Sequence, residues 1–459
     1  MKKNIFAVVL LSFIFAISLL VHLKFAVAIL LMMVFLITIL RHELAIIKAY
    51  FFIYLVLAGL ADESSFSISG NQSINLLGIL NLILILFFYL KLMDFLQFKK
   101  EHWNKGLIYP IFLFALYLVL TIPFSVSLTS SIRGLTRILS AFSFYLLAYF
   151  IIVNNKNAEE KIFKLITIIF IPIAIYGIIE YFTGFNIFHK KSILVPIYED
   201  WHVIGGFNRI RTAFSGAPHY SFVLLIFLPL YLYYFSKRRE KVYFYGFILS
   251  LMLINLLLTF TRITWGAVAI QLILFLFLFR PKKILRFAIP LGVIFVIMSS
   301  QIITRATTVD GSALGRLDLF WYGFSIFKAY PVFGSGIETF LELSSLRFGH
   351  EIAAHGDYMK MFAETGIFGG IGYLIILFTN LVFAVKNFKE NDFAKVAFLT
   401  IIGFMIFSLT DNALGYSHIF WGLLGIYNGL IVREKFDGHP LQIAHNRTIS
   451  NRSKHAVML

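Results

Sequence analysis

The chain has 459 residues, 59% hydrophobic and only 14% charged, with 40 Lys and Arg against 23 Asp and Glu. A soluble domain carries roughly a quarter of its residues as charges to keep its surface wet, so this composition, with a mean hydropathy of +0.86, argues against a soluble enzyme and for a protein built into a bilayer. Cysteine is absent, which removes disulfides, thiolate nucleophiles and thiolate metal sites, and the net charge of +17 lies in short loops rather than in a patch for nucleic acid.

The apolar residues fall in blocks of about 16 to 22, the length of helix that crosses a hydrocarbon core. In chain order they run Ile5–Val21, Phe25–Leu40, Leu44–Leu60, Ile74–Met93, Leu107–Phe124, Ile132–Val153, Ile162–Tyr181, Tyr220–Phe235, Tyr243–Leu258, Ile263–Phe279, Leu285–Ile303, Ile367–Val385, Phe393–Leu409 and His418–Val432. The first three are short and closely spaced, so the expected fold is an all-α integral membrane protein of about 12–14 transmembrane helices. The basic start MKKNIFAVVLLSFIFAISLLV resembles a signal peptide, but a second apolar block follows after only His22, Leu23 and Lys24. It reads as a first span that is kept.

Loop charge sets the orientation. With the N-terminus in the cytoplasm, the basic clusters at Lys99/Lys100/Lys105, Lys156/Lys161, Lys237–Lys241, Arg280–Lys283, Lys386/Lys389 and Arg433/Lys435 all fall on the cytoplasmic side. The acidic, Ser-rich segment Ala61–Ser73 falls on the other. The organisation is then N-terminal helices over 1–130, core helices over 131–303 with an extracytoplasmic loop at 182–219, and a large extracytoplasmic loop at 304–366. C-terminal helices follow over 367–435, with a polar cytoplasmic tail at 436–459. Loops this long are functional or disordered. The second is rich in aromatics, with Tyr322–Ala329 and Asp357–Glu364 as its expected short helices.

The informative residues break the charge rule. Arg209, Arg211, Arg262, Arg305, Arg316 and Arg347 lie on the extracytoplasmic side, and Arg133 and Arg137 sit at the outer end of their span. Any one of these can snorkel to a lipid phosphate or pair with a carboxylate. As a set flanking two long loops they suit an anionic partner, because a guanidinium offers a planar fork of donors that matches phosphate oxygens two at a time. His355 precedes a short helix that leads into a span; it is either a loop residue without a role or a neutral base at the membrane surface. Glu180 and Glu364 end their segments near membrane depth, where carboxylates are usually paired. Holding an arginine in place is the preferred reading for both, catalysis the other, and Asp411 is a similar partner. There is no acidic pair for a divalent metal, no Walker loop, no HExxH, no GxSxG and no cluster of metal-ligand histidines. Neither a metal nor another cofactor is expected; if the chain is an enzyme acting on phosphates, arginine must do what a metal does elsewhere.

Several segments, in order, resemble one superfamily. RIRTAFSGAPHYSFVLLIFLPL (Arg209–Leu230) is similar to its Arg-x-x-G/A-x-x-x-x-P block before a span, and LLLTFTRITWGAVA to its T-x-S/T-R block at the outer end of a helix. GRLDLFWYGFSIFKAYPVFGSGIETF resembles its Arg…Trp…Pro-x-x-G-x-G block, AHGDYMKMFAETGIFGG its His…E-x-G-x-x-G block, and YGIIEYFTG (Tyr176–Gly184) another recurring piece. The superfamily is that of the O-antigen ligases and O-antigen polymerases, and the resemblance runs from about Ile132 to Val432. One departure is Gly356, where the family often has Asn after the histidine.

The resemblance implies a membrane glycosyltransferase of the GT-C type, in the bacterial inner membrane, with both termini cytoplasmic and an extracytoplasmic active site. It implies an undecaprenyl-pyrophosphate-linked glycan as donor. The acceptor would be a lipid A-core sugar in a ligase or another lipid-linked repeat unit in a polymerase. It makes His355 the catalytic residue and Arg211 and Arg316 the donor pyrophosphate ligands, with Arg262 a further arginine of the same set. Glu180, Glu364, Asp357 and Tyr358 would support them. Membrane lipids are expected partners, with a chain-length regulator if the protein is a polymerase, and nucleic acid is not. A transporter of lipid-linked glycan or anionic solute is the rival of another class. It would need ionisable residues near the midplane, and the predicted spans have almost none at their centres.

Overall fold

The computed structural model describes residues 43–57, 65–69, 72–96, 103–186, 203–204, 207–279, 311–349, 354–414 and 417–435. The expected spans at 5–21, 25–40 and 285–303, the tail at 436–459, Trp201 and Arg305 lie outside the described residues, as does the side chain of Arg316.

The helices are α1 (Glu43–Phe52), α2 (Leu76–Leu96), α3 (Lys105–Thr121), α4 (Leu128–Asn154), α5 (Ala158–Thr183), α6 (Ala217–Lys237) and α7 (Val242–Leu258). They continue with α8 (Arg262–Phe279), α9 (Gly311–Ala329), α10 (Phe340–Phe348), α11 (Asp357–Lys386), α12 (Asp392–Phe407) and α13 (residues 417–435). Two short antiparallel ladders interrupt the helical pattern. β1 (Ser65–Ser69) pairs with β2 (Gln72–Asn75) in the Ser-rich loop, and β3 (Val203–Ile204) with β4 (Phe207–Asn208) just before Arg209.

The protein is an all-α integral membrane protein. Among the described residues six helices are long and apolar enough to cross a membrane: α3 with the turn that follows it to Phe124, α4, α5, α6, α8 and α11. Helix is the form these segments take because lipid offers no partner for a backbone N–H or C=O. α4 and α6 are buried on nearly every side, whereas α3, α5, α8 and α11 bury one stripe and leave the rest exposed. Lipid is as apolar as leucine, so polar clasps register the helices. Asn428 on α13 donates to Asn380 on α11 (2.6 Å) and to the Tyr145 hydroxyl on α4 (2.9 Å). Gln271 on α8 donates to the carbonyl of Leu399 on α12 at 2.9 Å and to that of Leu225 on α6 at 3.3 Å.

The two ends of the bundle differ. One end gathers the ion pairs Lys237–Asp392, Arg238–Glu160 and Arg433–Glu159; we call it the basic end. At the other end the connections between helices include residues 208–216, 330–339 and 354–357. α9 and α10 fold over that end around Leu319, Tyr322, Ile326, Phe340, Ala354 and Ala363. The sequence suggested a short helix at Asp357–Glu364 and a span from Ile367, and α11 has that form: it starts at Asp357, breaks at the non-helical Gly366 (φ 69°, ψ −170°) and continues to Lys386.

Candidate functional site

The break at Gly366 organises the end opposite the basic one. An interrupted helix leaves backbone groups without their i→i−4 partners. Here the carbonyls of Ala363 and Glu364 accept from the amides of Ser335 (3.0 Å) and Gly336 (2.9 Å), and the amide of Ile367 donates to Pro331 (2.9 Å). The Tyr117 hydroxyl of α3 adds bonds to the carbonyls of Thr365 and Val332. The Pro331–Gly336 segment thus substitutes for the missing helical turn. It passes so close that a Cβ at Gly366 would overlap the Val332 carbonyl. On its other side the segment is tied to the start of α4. Val126 N–H donates to Ser335 O (2.8 Å), the Ser131 hydroxyl to Ile337 O (3.1 Å), and Ser127 and Ser130 both to the Glu342 carboxylate. Arg137 pairs with Glu338 at 2.6 Å.

His355 is half-buried on the short segment that enters α11. Asp357, fully buried, anchors that segment: its amide donates to Ser408 O (2.9 Å), and its carboxylate accepts from Ala413 N (3.0 Å) and Leu414 N (3.2 Å). The Tyr358 hydroxyl donates to Met405 O at 2.9 Å. Both residues therefore strap the His355 segment to the end of α12. Gly356 has a reason to be glycine. Its φ of 98° with ψ of 111° suits no side chain, and a Cβ would stand 2.8 Å from the Leu409 carbonyl.

Glu180, at the end of α5, is buried and holds the Arg211 segment through its backbone. Its carboxylate accepts from Thr212 N (2.8 Å), Arg211 N (3.3 Å) and Asn186 Nδ2 (2.6 Å). Thr212 needs such a hold: it is β-branched with φ at +51°, a strained left-handed conformation. Phe260 and Glu338, in the neighbouring connections, are left-handed too. Strain of this kind collects at functional sites. Glu364 repeats the pattern, accepting from the amides of Phe340 (3.2 Å) and Glu338. The carboxylates that the sequence suggested as arginine partners act here on main-chain amides.

The exceptional arginines sort by environment. Arg209 caps the C-terminus of α7, donating from Nε to Thr259 O (2.9 Å) and from its fork to Thr261 Oγ1 (3.3 Å), the end of a helix dipole where a cation is favoured. Arg347 lies over the ring of Tyr322 (4.8 Å) and donates to the Ser325 hydroxyl. Arg133 is exposed. Arg211 and Arg262 are half-buried, Arg262 opening α8 beside the Arg209 contact. Arg316 lies on α9, which packs on the first turns of α11 where Gly323 faces Met359. Asp411 accepts from the amide of Asn412.

Contacts between α6, α8 and α12 bring these segments to one place. Phe222 of α6 packs on Phe404 and Phe407 of α12, one turn below the Ser408 carbonyl that holds Asp357. Its neighbour Ser221 bonds Thr264 of α8 at 2.7 Å, two residues from Arg262. Two residues singled out by nothing in the sequence also lie here. His219, half-buried on the first turn of α6, has Nδ1 bonded to the Ser215 hydroxyl at 2.9 Å. Lys360, 9% exposed, acts electrostatically on both Asp357 and Glu364. The spacing Asp357, Lys360, Glu364 puts all three on one helix face, a pattern that could have been read. Among the described residues no group of three His, Asp or Glu side chains is placed to hold a metal ion.

Residues 247–374 match the family model described as O-antigen ligase. That stretch, just over a quarter of the chain, contains Arg262, Arg316, His355 and Glu364, and over it the resemblance to the O-antigen ligase and polymerase superfamily is borne out. No curated protein matches the chain.

Proposed function

We propose that the protein is a membrane glycosyltransferase that moves a glycan from undecaprenyl pyrophosphate to an acceptor hydroxyl at the extracytoplasmic face of the inner membrane, without a metal. The observation that carries this reading is the gathering of His355, Arg262 and the Arg211 segment at the end of the bundle opposite the basic one, with the first two inside the matched stretch. The lipid pyrophosphate must leave as C1 of the sugar is attacked. Arg211 and Arg316 bind it bidentately and stabilise the charge that builds on it. Neutral His355 takes the proton of the incoming hydroxyl. Attack from the face opposite the leaving group inverts the anomeric carbon and needs no covalent enzyme intermediate. α9 and α10, folded over this end, exclude water that would hydrolyse the donor.

The acceptor is a lipid A-core sugar in the ligase reading and a second lipid-linked repeat unit in the polymerase reading. One experiment tests the chemistry and separates the two. A strain lacking the gene is complemented with wild type, His355→Ala, Arg211→Ala or Arg316→Ala, each verified in the membrane. The variants are expected to lose mature surface glycan while undecaprenyl-linked glycan accumulates, as long chains for a ligase or single repeats for a polymerase. Normal glycan from all three variants at normal protein level would refute the assignment and favour a transport role.

A further inference from the structure

At the basic end, far from the site just described, α3 and α11 diverge and leave a cavity of about 600 Å³ between them. Its wall on α11 is apolar, formed by Ile375, Phe378 and Val382, each close to half exposed. Its mouth carries Lys386 at the end of α11 and Lys435 at the end of α13, with Glu390 the one carboxylate beside them. From Ile375 to Lys386 a helix rises about 16 Å, close to the hydrocarbon depth of one leaflet, half of roughly 30 Å. The cavity is therefore an apolar slot one leaflet deep with a net cationic rim at headgroup level. By the positive-inside rule this end faces the cytoplasm, where the leaflet is rich in anionic lipid and basic pockets between helices collect such headgroups.

We propose that this groove binds an anionic phospholipid of the cytoplasmic leaflet, its acyl chain along Ile375, Phe378 and Val382 and its phosphate between Lys386 and Lys435. Charge complementarity selects the occupant. A zwitterionic lipid fills the slot equally well but leaves the two ammonium groups without a net countercharge. The proposal does not depend on the transferase reading, since it concerns neither the donor nor the opposite end.

The test uses the full-length protein in detergent micelles, with its unfolding midpoint followed as phosphatidylglycerol or phosphatidylcholine is added. Phosphatidylglycerol is expected to raise the midpoint by roughly 3 °C more than phosphatidylcholine. Lys386→Gln with Lys435→Gln should abolish that difference. Val382→Trp, which fills the slot from a lipid-facing position, should abolish it without touching charge. Lys161→Gln with Lys241→Gln, exposed lysines at the same end, should leave it intact. Equal shifts with both lipids, persistence of the difference in both groove variants, or its loss in the Lys161/Lys241 control would overturn the proposal.

Discussion

The two ends of the bundle hold their carboxylates differently, the Arg137–Glu338 pair aside. At the basic end carboxylates meet cations side chain to side chain. Arg238–Glu160 is exposed, Lys237–Asp392 partly so, and Arg433 grips the more enclosed Glu159 with both arms of its fork. At the other end Glu180, Asp357 and Glu364 are buried, and all three accept from backbone amides of segments that have no helix or sheet to satisfy them. Exposed ion pairs contribute little to stability. A buried carboxylate with amide donors is different: removing it strands each donor at once. The first end is tied for orientation and solubility, the second for geometry. The strained φ of Thr212 and Glu338 shows where that geometry is held against the local preference of the chain.

Substitutions at four positions sharpen this contrast, from the largest expected effect downward. Glu180→Ala removes the acceptor for two amides and for Asn186, and is expected to destabilise the fold by on the order of 4 kcal/mol, read as a lowered unfolding midpoint with loss of transfer. Glu180→Gln should recover only part of it, because its NH₂ would face an amide donor. Gly356→Asn should cost about 2–3 kcal/mol because the backbone there, with φ at 98°, admits only glycine. Unchanged stability and activity would mean that the His355 segment is not strapped to Leu409 as described. Lys360→Met leaves Asp357 and Glu364 on one buried face without their shared cation, at a cost of about 2 kcal/mol. Lys360→Arg should rescue most of the stability. At the basic end Lys237→Gln should change stability by less than about 0.5 kcal/mol; a loss as large as that of Lys360→Met would erase the distinction between the ends.

Much of the membrane fold was legible because lipid forces long apolar helices. The expected spans at Ile162–Tyr181 and Ile263–Phe279 fall within α5 and α8 with ends a few residues away. The break at Gly366 was legible as the boundary between a short helix and a span. What closes it was not, because the Pro331–Gly336 backbone that pairs with the broken turn is distant in sequence and no local pattern encodes the pairing. Asp357, Lys360 and Glu364 lie in a segment whose short helix was expected, and all three proved buried. The two carboxylates are held by main-chain amides, Ala413 and Leu414 for Asp357, Glu338 and Phe340 for Glu364, and amides carry no residue-type signal. His219 escaped notice for a related reason: only the fold brings its turn of α6 beside the start of α8.

In the proposed reaction His355 accepts the proton in a metal-independent transfer. Purified protein in liposomes, given undecaprenyl-pyrophosphate-linked glycan and acceptor in the presence of a chelator, tests it most directly, with His355→Ala and His219→Ala compared at equal folded protein. The account predicts that wild type transfers glycan under these conditions. His355→Ala should fall by roughly 100-fold or more, and His219→Ala should retain most of the rate. Full activity in His355→Ala, with the loss appearing in His219→Ala instead, would contradict it and move the base to the first turn of α6.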